Sequence, residues 1–231
     1  MFVLVHGAWH GSWCWERLEP RLRALGHDVV TMDLPVEDGG ATFLTYRDAV
    51  LAAWPDEPGR SIVLVGHSLG GMVIPLVIAC RPVQAAVFLC PVVPNVDGMP
   101  WDQAPEMGAA DAYATVTRRD GAVYFDSRDE AVTTFYGMCT PRDAAWAFDR
   151  LRAQNSSSLW DRPYPLQQLP PGRRFVIAGQ HDRAITPAFL HAVSVRRLGT
   201  EPIVLDSNHS PFLSATSTLT DVLDRISHPI P

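Results

Sequence analysis

Residues 61–75, SIVLVGHSLGGMVIP, set one hydroxyl among glycines where one apolar run gives way to another. Gly66-His67-Ser68-Leu69-Gly70 fits the pattern G-x-S-x-G. Placed after a strand and before a helix, that pattern describes a tight turn with a serine exposed at its tip. Glycine is required on both sides because the turn leaves no room for side chains. The helix that starts behind the serine favours negative charge developing there. Ser68 is either a turn residue or a nucleophile. The strand-helix setting and the additional Gly71 favour the nucleophile.

A serine hydroxyl needs a base. The chain has eight histidines. His6, His67 and His181 border predicted strand ends, and His27 sits at a helix stop. His10, His191 and His228 have no evident partner. His209, in VLDSNHSPFL, follows the last apolar run on a loop. In a parallel sheet that loop lies beside the serine turn, because both leave the carboxyl ends of strands. His209 is therefore the expected general base. Asp182, in FVIAGQHDRAITP, comes just after the preceding strand and would orient the imidazole. Its rival is Asp206, three residues before His209. Chain order, serine then aspartate then histidine, favours Asp182. A tetrahedral oxyanion would need two donors. The N–H of Leu69, directly after the serine, is one candidate, and the N–H of Ala8 in HGAWHGSW (6–13) is the other. His6 reads as a packed loop residue.

The elements that must hold these groups alternate along the chain. Apolar runs at 2–5, 28–34, 61–66, 84–90, 173–179 and 201–207 read as strands. Helical patterns cover 15–27, 42–54, 70–80, 186–199 and 217–226, with a kink expected at Pro75. The runs lack the period-two pattern of a half-exposed sheet. They predict an α/β fold with a mainly parallel six-stranded sheet, covered by helices on both faces. From about Pro94 to Pro171 the rhythm breaks. Two helical patterns, 129–138 and 141–154, lie among prolines and aromatics, and no strand is evident. The expected organisation is a core of residues 1–93 and 172–231 with a helical cap, 94–171, above the site. Trp101, Tyr124, Phe125, Tyr136, Met138 and Trp146 would give the cap an apolar, aromatic lining or its own core.

Bulk properties narrow the field. The chain has 231 residues, 47% hydrophobic and 19% charged, with net charge −6. All 19 basic residues are arginine, which is also what a high-GC bacterial genome would produce. With no basic block, nucleic acid is not an expected partner. No run approaches the roughly 20 apolar residues of a membrane span, and no charged leader precedes FVLV. The expectation is a soluble cytoplasmic protein with no cofactor and no metal. Four cysteines, Cys14, Cys80, Cys90 and Cys139, form no C-x-x-C pair and read as buried free thiols.

FVLVHGAWHGSWCWERLEPRLRALGHDVVTMDLP, VGHSLGGMVI, HDRAITP and NHSPF resemble the α/β-hydrolase superfamily. More narrowly they resemble its branch of plant methylesterases, salicylate-binding esterases and hydroxynitrile lyases, with bacterial esterase relatives. FYGMCTPRDAAWAFDRLRAQ, in the cap, is similar to the same branch. The resemblance implies a six-stranded α/β-hydrolase core that lacks the two leading strands of larger relatives, with the site under a helical cap. It implies Ser68, Asp182 and His209 as a triad, with Ala8 and Leu69 as oxyanion donors.

The branch contains esterases and lyases, so the fold leaves the reaction open. The lyases carry a threonine after the first-motif histidine and a lysine directly after the catalytic histidine. Here those positions are Gly7 and Ser210, and the chain has no lysine. Arginine cannot easily replace that cation, because its planar fork has a different geometry. The expected reaction is hydrolysis of a small, largely apolar carboxylic ester, such as a methyl ester, or of a lactone or thioester. The competing class is a small-molecule receptor that retains the hydrolase pocket. Expected partners are the small-molecule ester and, as an option the sequence leaves open, a second copy in a homodimer.

Overall fold

The structure is a computed structural model describing residues 1–55, 59–99, 107–109, 112, 116–155 and 158–228. Six strands form one parallel sheet: β1 (Phe2–Val5), β2 (Val29–Thr31), β3 (Val63–His67), β4 (Ala85–Leu89), β8 (Arg174–Gly179) and β9 (Ile203–Leu205). Their order is β2-β1-β3-β4-β8-β9. Every pairing is parallel. β1 therefore sits beside β3, which places the loop after β1 against the turn after β3. Successive side chains in a strand point to opposite faces, and each face has its own core. Val3, Val5, Leu64, Phe88 and Val176 face α2 (Phe43–Ala53) and α3 (Gly70–Ile78). Phe2, Leu4, Val63, Val87 and Ile177 face α1 (Glu19–Ala24) and the last helix, Thr216–Ser227.

Some boundaries differ from the sequence expectation for local reasons. Of the run 15–27 only Glu19–Ala24 is α-helical, as α1, and it is preceded by a 3₁₀ turn, Ser12–Trp15. Pro20 falls in the first turn of α1, where its missing N–H costs nothing. α3 passes through Pro75 and ends at Ile78, which leaves Cys80 in the following turn and exposed. The expected burial of that thiol is thus corrected; Cys14 and Cys90 are buried and Cys139 is half-buried. β9 is an edge strand, so its Val204 is 59% exposed despite its apolar type.

Between β4 and β8 the chain leaves the sheet. The two expected helical patterns are present as Arg128–Ala131, widening into a π-helical turn Val132–Tyr136, and as Pro141–Phe148. The same segment also contains three short antiparallel strands that the sequence pattern does not announce: β5 (Thr117–Arg119), β6 (Ala122–Tyr124) and β7 (Gln154–Asn155). Phe125, Phe135, Tyr136 and Ala147 form a third cluster here, joined by Trp9 and Trp13 from the loop after β1. Trp101 lies outside the described residues.

Gly179, the last residue of β8, touches the loop that carries His209. A Cβ there would lie 2.3 Å from the carbonyl oxygen of Asn208 and 2.8 Å from that of Ser207. Gly179→Ala is expected to lower unfolding stability by about 3 kcal/mol, because backbone has to move to admit one methyl group. Urea titration of the purified variant measures this.

Candidate active site

Ser68 falls between the end of β3 at His67 and the start of α3 at Gly70. Its φ is +50°, in the left-handed region that non-glycine residues seldom occupy. Backbone hydrogen bonds hold it there. The Ser68 N–H donates to Leu89 at 3.0 Å, and its carbonyl accepts from Gly71 and Val92, both at 2.9 Å. The neighbouring glycines are sterically required. A Cβ on Gly66 would lie 2.6 Å from the Gly70 oxygen, and one on Gly71 would lie 2.6 Å from the Val92 oxygen.

Asp182 and His209 meet directly. His209 Nδ1 donates to Asp182 Oδ2 at 2.8 Å, with the two side chains 2% and 0% exposed respectively. The other carboxylate oxygen, Oδ1, accepts the N–H groups of Ala184 and Ile185, each at 2.9 Å. The carboxylate is thus fully engaged although buried, which is the condition for keeping its charge there. With Nδ1 turned to the carboxylate, Nε2 is the ring nitrogen that this bond leaves unused. Asp206 does not reach His209. Its exposed carboxylate pairs with His181 Nε2 at 3.1 Å.

The serine turn and the histidine loop are joined by His67, a residue whose part the sequence reading missed. His67 Nε2 donates to the His209 carbonyl at 2.9 Å, and the two rings lie 4.8 Å apart. The bond starts one residue before Ser68, so it seats the His209 loop against the serine turn. Burial pushes the His67 pKa well below its ordinary value. Phe135, also missed, lies 5.6 Å from the His209 ring. Neither residue has a sequence signal apart from the motif position of His67.

The loop after β1 closes the other side. A Cβ on Gly7 would lie 2.7 Å from Ser68 Cβ, so this backbone rests on the serine itself. Among the described residues no acceptor takes the N–H of Ala8 or of Leu69. His6 is packed, as expected, and it also braces the loop: Nδ1 donates to the Gly7 carbonyl at 2.8 Å, while Nε2 accepts the Leu34 N–H at 2.9 Å. His10 Nδ1 donates to the Ala8 carbonyl at 2.7 Å. Burial lowers the pKa of His6 to about 4 and that of His10 to about 3.

Cys90, Asp182 and His209 place a sulfur, a carboxylate oxygen and a ring nitrogen within 4.8 Å of one another. A metal ion there would have to displace the proton shared by His209 and Asp182. It would also need a thiolate from Cys90, whose pKa is raised by burial and by the nearby Asp182 charge. The set suits a buried histidine–carboxylate hydrogen bond better than a metal site. Two surface hollows, of about 610 and 540 Å³, are lined by other residues: Arg174, Arg196 and Arg197 in the first, Arg17, Arg21 and Asp143 in the second.

The alpha/beta hydrolase family model matches residues 2–221, and the chain belongs to that family. It is similar to norfluorocurarine synthase 1 of Strychnos sp, 38% identical over 111 residues, or 43% of this chain and 41% of that protein. It is also similar to esterase PIR7B of Oryza sativa subsp. japonica, 42% identical over 108 residues, or 41% of this chain and 40% of that protein. The matched part spans about 40% of the length of these curated relatives. In three dimensions the chain matches the crystal structure of polyneuridine aldehyde esterase with a TM-score of 0.83 at 23% identity, over 98% of both chains. No described helix is long and apolar enough to cross a membrane.

Burying neutral histidines has a consequence for acid stability. The unfolded chain protonates His6 and His10 near pH 6.5, whereas the folded protein does so only near pH 4 and pH 3. The unfolded state therefore binds more protons between those limits, and stability falls as pH drops. From pH 7 to pH 4 the loss from His6 alone is expected to be about 3 kcal/mol. Thermal unfolding followed across that range should show the transition temperature falling steadily below pH 6.5; a flat profile contradicts neutral burial.

Proposed function

We propose that the protein is a serine hydrolase that cleaves a carboxylic ester of a small, largely apolar molecule. The observation that carries this reading is the buried 2.8 Å hydrogen bond between His209 and Asp182, tied by His67 to a serine at positive φ. In the proposed reaction His209 Nε2 takes the Ser68 hydroxyl proton as Oγ attacks the ester carbonyl. The tetrahedral oxyanion forms against the N–H groups of Ala8 and Leu69, each worth about 3 kcal/mol in the transition state. As the intermediate collapses, His209 returns its proton to the leaving alkoxide and an acyl-Ser68 remains. Water, deprotonated by His209, then releases the acid. Asp182 keeps the Nδ1 proton throughout and steadies the imidazolium.

The segment 94–171 is assigned as the cap over this site. Its Phe135, 5.6 Å from the His209 ring, supports a substrate with an apolar or aromatic portion, a methyl ester or a lactone being the simplest cases. The esterase named among the relatives supports hydrolysis. Two positions weigh against cyanohydrin cleavage. A β-carbon at position 7 would collide with Ser68 Cβ, so a threonine does not fit this backbone. Ser210 is fully buried, and a lysine there would have to desolvate an ammonium group.

Hydrolysis of p-nitrophenyl acetate and butyrate provides the test. Ser68→Ala is expected to lower turnover by at least about 10³-fold. Equal rates in wild type and variant sink the reading. Asp182→Asn is expected to cost roughly 10⁴-fold by favouring the wrong tautomer, while Asp206→Asn stays near wild type. The reverse ranking reassigns the acid. With mandelonitrile, no cyanide release dependent on Ser68 is expected.

A further inference from the structure

The loop that offers the Ala8 N–H is held from outside the sheet. Three residues between β4 and β8 bond to consecutive positions in it. Tyr136 Oη lies 2.9 Å from His10 Nε2. The Arg152 N–H donates to the Trp9 carbonyl at 2.7 Å. Trp9 Nε1 donates to the Val123 carbonyl at 3.0 Å. Trp9 itself has φ +59°, so the loop adopts a conformation that needs outside support.

We propose that Tyr136 is a positioning residue for the reaction: its hydroxyl fixes the tautomer of His10, and His10 in turn fixes the oxyanion loop at Ala8. The inference rests on the serine-hydrolase reading above.

The proton placement follows from chemistry. His10 is buried and neutral, so its ring carries one N–H. The Ala8 carbonyl, 2.7 Å from Nδ1, can only accept. The proton therefore sits on Nδ1, and Nε2 presents a lone pair. Tyr136 donates to that lone pair. Trp13 stacks on the ring with centroids 5.2 Å apart and planes 18° from parallel, which limits rotation. Without the Tyr136 hydroxyl the Nε2 lone pair would be buried and unsatisfied, a cost of about 1–3 kcal/mol. The competing tautomer, or a turned ring, would then release the Ala8 carbonyl.

Ala8 is clamped on both sides. The Gly7 carbonyl, held by His6 at 2.8 Å, belongs to the same planar peptide as the Ala8 N–H. The Ala8 carbonyl, held by His10, belongs to the next. With both planes fixed, the direction of the Ala8 N–H is set before substrate arrives. Preorganised donors of this kind act on the oxyanion of the transition state far more than on the ground-state carbonyl.

The experiment compares two ketones as inhibitors of the purified full chain. An alkyl trifluoromethyl ketone adds Ser68 Oγ and forms a hemiketal oxyanion, whereas its unfluorinated counterpart stays a carbonyl. Tyr136→Phe is expected to lower kcat about 10-fold and weaken the fluorinated inhibitor by a similar factor. KM and affinity for the plain ketone should stay within about twofold. If both ketones weaken alike, or neither does, the inference is overturned. Should Tyr136→Phe not fold, His10→Asn and His10→Ala carry the test. The asparagine amide can still donate to the Ala8 carbonyl, so it should keep more turnover and more fluorinated-ketone binding than alanine. Equal losses overturn the inference. A wild type without Ser68-dependent hydrolysis overturns the site reading as well; an active wild type matched by Tyr136→Phe overturns the inference alone.

Discussion

His209 and Asp182 share a hydrogen bond of 2.8 Å at a depth where water hardly reaches either side chain. A carboxylate in such a place is tolerated only when its lone pairs are taken up. The backbone of residues 184 and 185 turns its N–H groups onto Oδ1, and the imidazole takes Oδ2. This constraint explains much of the surrounding structure. The loop after β8 must curl tightly around its own aspartate. The loop after β9 must approach so closely that Gly179 has no space for a methyl group. Charge, burial and loop shape are one requirement seen from three sides.

Three further histidines act around this pair as neutral braces. Each turns a ring nitrogen to a backbone carbonyl: His6 to Gly7, His10 to Ala8 and His67 to His209. A neutral imidazole suits the task because it offers a donor and an acceptor at opposite ends of a rigid ring. A lysine or arginine would bring a charge that has to be desolvated. Burial favours the uncharged form of each brace and lowers all three pKa values. His6 and His10 each use their second nitrogen as well, on the Leu34 N–H and the Tyr136 hydroxyl. The loop after β1 is thereby fixed both to the loop after β2 and to the segment between β4 and β8.

That double attachment bears on how one fold serves different reactions. The sheet and its helices supply a frame that chemistry does not alter. Differences arise where few atoms separate two backbones. Gly7 against Ser68 is one such place, and Ser210, buried beside His209, is another. A β-carbon at position 7 would press on Ser68 and His67, and a larger side chain at buried position 210 would have to displace its neighbours, so both positions constrain what the site can accept.

Much of this was legible in the chain itself. Apolar runs of strand length separated by helical patterns dictate a parallel sheet, because strands without polar alternation must be covered on both faces. G-x-S-x-G at a strand-helix junction marks Ser68, and chain order ranks Asp182 above Asp206 as the partner of His209. Those are local patterns or consequences of order along the chain. Other features have no local pattern. The strands β5 to β7 are too short and too mixed in composition to stand out, and they exist because they pair with one another. The braces His6, His10 and His67 look like ordinary histidines, since each bonds through a ring whose partner is set by folding. Cys80 sits in an apolar run yet faces solvent, because α3 stops two residues earlier. The sequence alone determined which side chains could do chemistry and which elements carry them, as these depend on residue type and spacing. Only the tertiary structure decided which carboxylate meets the imidazole and how the loop at Ala8 is held, because those contacts join residues far apart in the chain at distances set by packing.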